Sequence, residues 1–308
     1  MKKAFITTVY NEEKTIALLL DSLLKQNEIP NEIILVDAFS KDKTFQILSD
    51  FKKKYPKLIK VFRKKGNRSE GRNFAIKNAR SDIIAASDSG CILKKDWFNE
   101  ITKPFKEKNI DVVAGFYKPI TRNSFEKCLS VYTCVMEDKV TKDFLPSSRS
   151  IAFRKNAWKN VDGYPEQLDT CEDLVFAKKM KKEGMKFSVN KKAIVYWPQR
   201  KNILQAFRQF FSYAKGDGKA LYIRRQTPFL FIRMIGGFLL LLLLFYSPST
   251  QNKLIILVLM LLYSILSVLK NARYINHTKD VLNLILLQLS SDIAVFFGFI
   301  YGVFKRLG

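Results

Sequence analysis

Histidine is almost missing from these 308 residues, and His277 is the only one. With a single imidazole, neither a Cys/His zinc site nor a histidine-based proton relay has enough material. Cysteine is scarce too: Cys91, Cys128, Cys134 and Cys171 contain no CxxC spacing. They lie in a part of the chain expected to face reducing cytosol, for the charge reasons given below, which argues against structural disulfides. Internal repeats and low-complexity linkers are absent. So is a cleavable signal peptide, because Met1-Lys-Lys leads into only a short apolar strand and then Asn11-Glu-Glu. The N-terminus is therefore expected to stay where it is made.

Acidic residues are also in deficit, with 53 Lys+Arg against 28 Asp+Glu and a net charge of +25. Such a charge suits a nucleic-acid binder, which gains from counterion release. Here the lysines are instead scattered over amphipathic helices, as in Phe51-Lys-Lys-Lys-Tyr-Pro-Lys57 and Lys178-Lys-Met-Lys-Lys-Glu183, without an aromatic-interleaved RNA motif. No nucleic-acid partner is expected, and a basic, membrane-tethered nucleic-acid binder is the lesser reading.

The charge is unevenly placed. Residues 1–226 carry 46 Lys+Arg and 26 Asp+Glu, whereas residues 227–308 carry 7 and 2. Residues 229–246 hold one charge, 254–269 none and 281–304 only Asp292. About 20 apolar residues span a bilayer. Gly236-Gly-Phe-Leu-Leu-Leu-Leu-Leu-Leu-Phe245 has no polar face to show water, so residues 226–308 are expected to be a membrane domain of about three segments. A shallow or in-plane helix is an alternative for any one of them. A basic domain ahead of such segments points to the cytoplasmic face of a cell membrane and a multi-pass anchor. Three crossings would leave Lys305 and Arg306 outside; two crossings and one in-plane helix would keep them inside.

Ahead of residue 226, strand and helix patterns alternate. Lys3–Val9, Glu32–Asp37, Leu58–Arg63 and Asp82–Ser87 read as strands; Glu12–Gln26, Lys41–Lys54, Ser69–Ala79 and Asp96–Lys108 read as helices. Beyond them, Asp111–Phe116, Ser148–Phe153 and Lys186–Tyr196 read as strands, with helices at Glu172–Glu183 and Ile203–Lys215. The fold class is α/β, a Rossmann-like, mostly parallel sheet covered on both faces. Two buried-looking strands stop at carboxylates, Asp37 and Asp88, where open α/β sheets bind ligands. A nucleotide is expected there.

The order of motifs resembles the family 2 inverting glycosyltransferases of the GT-A fold, over roughly residues 3–225. Thr7-Thr-Val-Tyr-Asn-Glu12 is similar to the first-strand turn that holds the nucleotide base, and Val36-Asp-Ala-Phe-Ser-Lys-Asp-Lys-Thr44 to the segment that contacts uridine. Lys65-Gly-Asn-Arg68 with Gly71-Arg-Asn73 resembles the stretch before the metal motif. Asp88-Ser-Gly90 stands at the D-x-D position and Cys171-Glu-Asp173 at the base-bearing E-D pair. Gln205-Ala-Phe-Arg208 resembles Q-x-x-R-W. Three positions depart from the pattern: Ala38, Gly90 in place of the last Asp of D-x-D, and Gln209 in place of Trp.

The resemblance implies a nucleotide-sugar half over about 1–115 and an acceptor half over about 116–225. It implies that Thr8, Tyr10, Glu12, Asp37, Arg68, Arg72 and Asp88 bind the nucleotide sugar, and that Asp173 is the catalytic base. Glu172, Ser147 and Arg149 fall on the acceptor side, where Ser147 and Arg149 read as contacts to an acceptor or to the diphosphate, or as the polar edge of an exposed strand, and Gln205 and Arg208 fall in the C-terminal diphosphate motif. The implied cofactor is a divalent cation, Mg²⁺ or Mn²⁺, on Asp88. The implied partners are a nucleoside-diphosphate sugar, with UDP foremost, and a lipid-linked or cell-envelope glycan acceptor at the membrane. A non-catalytic sugar-nucleotide or glycan-binding scaffold is the alternative.

The chemistry asks for the same residue types. Breaking a sugar C–O bond to a diphosphate needs positive charge beside the phosphates and a base beside the incoming hydroxyl. Arg68, Lys65 or Arg72 can share the cation's task where the metal is weakly held. Taken singly, Asp37 also reads as a loop cap, Asp88 as an Asx turn with Gly90, and Glu172 and Asp173 as acids favoured at a helix N-terminus. Trp158 reads as a core aromatic or as a sugar-stacking ring.

Overall fold

The computed structural model describes residues 1–141, 143–274 and 279–307; His277 lies outside them. In chain order the elements begin β1 (Lys3–Val9), α1 (Ile16–Leu24), β2 (Glu32–Asp37), α2 (Thr44–Lys54), β3 (Ile59–Arg63), α3 (Arg68–Asn78) and β4 (Ile83–Ala86). There follow β5 (Ile92–Leu93), α4 (Trp97–Thr102), β6 (Val112–Ile120), α5 (Ser124–Thr133), β7 (Ile151–Arg154), α6 (Lys155–Asn160), α7 (Glu172–Lys182) and β8 (Phe187–Pro198). Last come α8 (Ile203–Ala220), α9 (Thr227–Tyr246), α10 (Thr250–Ala272) and α11 (Lys279–Leu307). Two compact units result: Met1–Ile120 with Met136–Pro198, and Thr121–Val135 with the chain from Gln199 onward.

In the first unit the strands form one sheet in the order β3-β2-β1-β4-β7-β6-β8-β5. The β3-β2-β1-β4 half is parallel, as the alternation of strand and helix requires. Each residue of β2 is buried, and α1 buries Ile16, Leu19, Leu20 and Leu23 along one side. The other half is mixed: β7 is antiparallel to both β4 and β6, β6 is parallel to β8, and β5 is antiparallel to β8. Register brings Val9, Asp37 and Arg63 abreast at the carboxyl ends of β1, β2 and β3. β4 stops beside Ile6, so its chain leaves the sheet early and turns outward through Ser87 to Gly90.

Local sequence explains where the elements depart from expectation. Instead of one helix over Asp96–Lys108, α4 ends at Thr102 and a 3-10 turn covers Lys103–Lys106, because Pro104 has no N–H to continue the helix. β6 bulges between Ala114 and Phe116, where a side chain on Gly115 would meet Ser150 Oγ at 2.0 Å. Ser150 Oγ also accepts the indole N–H of Trp97 at 2.8 Å and thereby joins two core elements. Phe153, Tyr164 and Phe176 pack ring to ring behind β7.

The second unit is helical. α5 is capped by Asn123, whose side chain accepts the Glu126 N–H, and it carries Cys128 and Leu129 into a core with Ala206, Phe210, Leu284, Leu287 and Ala294. α8 runs to Ala220 and not to Lys215, passing through Gly216 and Gly218. A side chain at Gly218 would meet Phe299 O at 2.1 Å, and one at Gly302 would meet Lys215 O at 2.1 Å, so the α8 and α11 backbones touch. α8, which lies ahead of the expected division at 225/226, packs with the apolar helices.

Among the described residues two helices are long and apolar enough to cross a membrane: Thr227–Tyr246, with mean hydropathy 2.3, and Asp280–Leu307, with 1.8. Twenty helical residues reach about 30 Å, the thickness of the hydrocarbon layer. The stretch Thr250–Leu266 is apolar but shorter. Asp292 of α11 is buried and accepts from Arg233 of α9 at 2.8 Å, Tyr263 of α10 at 2.5 Å and Gln288 at 2.9 Å.

Candidate functional site

Four connections converge just beyond the end of β4. α3 begins at Arg68 because Asn67 caps it: its side chain accepts the N–H groups of Ser69 and Glu70, and Glu70 accepts the N–H of Asn67 in return. One turn in, Arg72 is buried. Its Nη2 donates to Asp88 Oδ1 at 2.8 Å and its Nη1 to Glu172 Oε1 at 2.7 Å. Glu172 and Asp173 are the first two residues of α7, preceded by Cys171 in the left-handed region at φ 67°. Ser148 donates its N–H to Asp173 Oδ2 at 3.2 Å.

Arg149, from the same loop as Ser148, lies 3.9 Å through Nε from Asp88 Oδ2. Its guanidinium stacks on Trp197 at 3.9 Å and is flanked by Tyr117 at 5.3 Å. Asp88, Arg72, Arg149, Ser148, Glu172 and Asp173 therefore form one cluster. Ser147 is their neighbour, with a buried Oγ that has no hydrogen-bond partner among the described residues.

The electrostatics are divided. Burial pushes the Asp88 carboxyl up, but the guanidiniums of Arg72, Arg149 and Arg68 outweigh it and hold the group below its ordinary 3.8. Burial and then the charge of Asp173 raise Glu172 above its ordinary 4.5, against the pull of Arg72. Burial opposes charge on Arg72, and the two carboxylates restore it. Cys91, buried near Asp88, is pushed up to about 12 and stays a thiol.

The loops after β1 and β2 form a second group at the same sheet ends. Asp37 is fully buried; its carboxylate accepts the Ser40 N–H at 3.1 Å and the Arg63 Nε at 3.1 Å. Asn11, at φ 54°, accepts from Lys41 N at 2.9 Å, and Glu12 accepts from the Thr15 hydroxyl. Tyr10 is 52% exposed at the lip, and Thr8 packs against Gly71. Asp37 thus acts as the organiser of its own loop, with both carboxylate oxygens engaged. Arg68 is exposed at the start of α3. Gln205 and Arg208 lie on α8 of the second unit, where Gln205 accepts from Lys201 N at 3.1 Å.

Sequence reasoning passed over Arg63, which stacks on Phe39 and Phe45 at 4.4 and 4.5 Å. It also passed over Asn73, which holds Trp158 Nε1 and Tyr164 N at 2.9 Å each and so pins Gly163-Tyr-Pro165 beneath the acid pair. Trp158 is a core residue. Its neighbour in the motif, Arg72-Asn73, was the signal available for Asn73. Among the described residues no group of three or more His, Cys, Asp and Glu stands ready for a metal ion.

Residues 4–150 match the family model for glycosyl transferase family 2. TarS of Staphylococcus aureus, a poly(ribitol-phosphate) beta-N-acetylglucosaminyltransferase, is 27% identical over 209 residues, 65% of this chain and 36% of TarS. The chain thus spans about a third of that relative. RfbN of Salmonella typhimurium, an O-antigen chain rhamnosyltransferase, is 25% identical over 224 residues, 68% of this chain and 71% of RfbN. Among solved structures, the mannosyltransferase PcManGT of Pyrobaculum calidifontis, in complex with GDP-Man and Mn²⁺, superposes with a TM-score of 0.65 at 16% identity, covering 94% of this chain and 86% of its own. TarS 1-349 in complex with UDP gives 0.52 at 22% identity, covering 94% and 91%. The fold is GT-A.

Proposed function

We propose that this chain, whose residues 4–150 are a family 2 glycosyl transferase domain, moves a sugar from a nucleoside-diphosphate donor to a cell-envelope glycan at a membrane surface. The observation that carries the reading is the Arg72 bridge, which ties the donor-side acid Asp88 to the acid pair Glu172–Asp173 through 2.8 and 2.7 Å bonds.

The reaction is a single displacement with inversion. The acceptor oxygen forms a bond to the anomeric carbon as the C–O bond to the diphosphate breaks, and the electron pair of that bond leaves on the diphosphate. Asp173 takes the acceptor proton. Its Oδ2, held by the Ser148 N–H, is fixed in direction, and Glu172 on Arg72 keeps the helix start in place. Tyr10, Glu12 and the Asp37 loop offer the base and ribose a site at the ends of β1 and β2, with Thr8 and Arg68 beside the phosphates. Ser147 lies on the acceptor side of the cluster. UDP is the first donor nucleotide to test and GDP the second, since solved structures of the fold hold each.

Mg²⁺ or Mn²⁺ at the D-x-D position meets a poor donor set. Asp88 is the one carboxylate there, Arg72 engages one of its oxygens, Arg149 faces the other, and Gly90 adds nothing. These residues do not fit a two-carboxylate metal site, and no step above depends on one.

The relatives' names favour an envelope polymer as acceptor, and the apolar helices favour a lipid-linked one. Confining enzyme and acceptor to one surface raises their effective concentration. Two crossings, by α9 and α11, keep Lys305 and Arg306 on the same cytoplasmic side as the basic first unit. Gly90 also supports the second reading, a domain that binds a sugar nucleotide without turnover. Release of UDP or GDP from a panel of sugar nucleotides, with membrane extract as acceptor source and Asp173→Asn as control, separates the two. Donor binding with no release above the control sinks the enzyme and leaves the scaffold.

A further inference from the structure

Arg149 stands out among the charged groups of the cluster because its surroundings fix it in place. Its guanidinium lies flat on Trp197 at 3.9 Å and beside Tyr117 at 5.3 Å, and these two rings themselves meet edge to face at 6.2 Å. Trp197 and Tyr117 are buried, and the Arg149 side chain is 15% exposed. A stacked guanidinium loses little further freedom on binding, and its planar N–H fork matches two phosphate oxygens. Arg149 is also next to the one acid of the D-x-D position, which is itself 30% exposed and so reachable from outside.

At that acid, the two oxygens have different cationic neighbours: Arg72 on Oδ1 at 2.8 Å and Arg149 on Oδ2 at 3.9 Å. A dication bound to either oxygen would face a guanidinium at short range, and like charges so close repel strongly outside bulk water. An anion there would be drawn to them. Two residues on, Gly90 brings no ligand, and a Cβ built on it meets nothing within 4 Å, so the place for a second carboxylate is open but unused. Arg68, exposed at the first turn of α3, adds positive charge to the same neighbourhood.

We propose that Arg149, clamped by Trp197 and Tyr117 beside Asp88, binds the diphosphate of the donor and takes over the charge-neutralising part that a divalent cation would otherwise play. This rests on the transferase reading above and deepens it. The guanidinium meets the negative charge that gathers on the diphosphate oxygen as its bond to the anomeric carbon breaks. Asp88 positions Arg149 and Arg72 in place of ligating a metal.

The test is calorimetric titration of UDP and of GDP into the full-length chain in detergent, once with EDTA and once with Mn²⁺. The preferred nucleotide is expected to bind with affinities within about 3-fold of each other in the two conditions, and Arg149→Gln to weaken binding by about 10-fold to 100-fold in both, the scale of a lost charged hydrogen bond. Arg149→Lys, which keeps the charge and loses the stacked fork, falls between. Gly90→Asp, for which there is room, is expected to make binding tighter with Mn²⁺ than with EDTA. Thermal unfolding of each variant checks that it is folded; should Arg149→Gln fail, Arg149→Lys and Gly90→Asp decide. Binding abolished by EDTA in the parent chain, or indifference to both Arg149 variants, overturns the proposal and leaves the transferase reading standing. Binding of neither nucleotide in either condition overturns both.

Discussion

Arg72 donates to Asp88 and to Glu172, so one buried guanidinium joins carboxylates 16 and 100 residues away along the chain. This contact binds the end of β4 to the start of α7. It is also where structure and chemistry are hardest to separate, because a buried charge must be paired to be tolerated at all.

Arg72→Leu is expected to cost about 3–5 kcal/mol of stability, since it strands Glu172 without its cationic partner. Arg72→Lys should recover part of this, having the charge but not the two-armed geometry. Denaturant unfolding of the full chain measures both. Equal midpoints for Arg72→Leu and the parent would mean the bridge contributes nothing.

The pH dependence has a definite sign at Glu172. Its folded-state pKa is raised, so its contribution to stability is fully present below its ordinary 4.5 and is lost as pH rises through the raised value. Glu172→Gln removes that titration. The stability of the parent relative to Glu172→Gln should therefore fall as pH is raised from 4.5 upward. Asp88 has the opposite sign: its lowered pKa stabilises the fold above the ordinary 3.8, and this is lost only as pH falls through the lowered value. Thermal unfolding of parent and variant across the acid range reads the difference, and parallel curves would contradict it.

Gly302→Val should disrupt the second unit, because the new Cβ would lie 2.1 Å from the carbonyl oxygen of Lys215. Overpacking of this kind costs about 1–3 kcal/mol or more where backbone cannot yield. Gly236→Val, with nothing within 4 Å of its Cβ, is the control and should be neutral. Thermal stability in detergent and protease sensitivity of the apolar helices provide the readout. An unaffected Gly302→Val would show that α8 and α11 do not touch there.

Asp292→Leu is expected to destabilise the helices α9 to α11 by about 3 kcal/mol, leaving Arg233 without its partner. The double variant Asp292→Leu, Arg233→Leu should recover much of the loss, since apolar replacements of a buried pair are often well tolerated. Denaturation in mild detergent compares the three. Additive losses in the double variant would rule out a coupled pair.

The parallel half of the sheet and its carboxylate-tipped strands were legible because Ile33-Ile-Leu-Val36 and Ile83-Ile-Ala-Ala86 are apolar throughout, which only strands covered on both faces require. The acid pair was legible from its position at a helix start. Other features depend on distant partners. Trp197 and Arg149 meet across a sheet, and neither residue announces the other. α5 was missed because its few apolar positions gain meaning only against α8 and α11. The far end of α8 was misplaced because Gly216 and Gly218 look like helix breakers, whereas Gly218 is what lets another backbone approach. Asp37 illustrates the reverse: its residue type suits a ligand site, yet its carboxylate is engaged by Ser40 in its own turn and by Arg63 at the end of β3.

Cys171 adopts a left-handed backbone although it has a side chain, directly ahead of Glu172 and Asp173. Such a conformation costs about 1–3 kcal/mol and persists only where the surroundings enforce it. The angle at which Asp173, the proposed proton acceptor, leaves the loop is therefore decided just before its helix starts. Relaxing that kink with glycine would ease the chain thermodynamically while blurring the aim of the carboxylate, so heat tolerance and turnover would move in opposite directions at this one position.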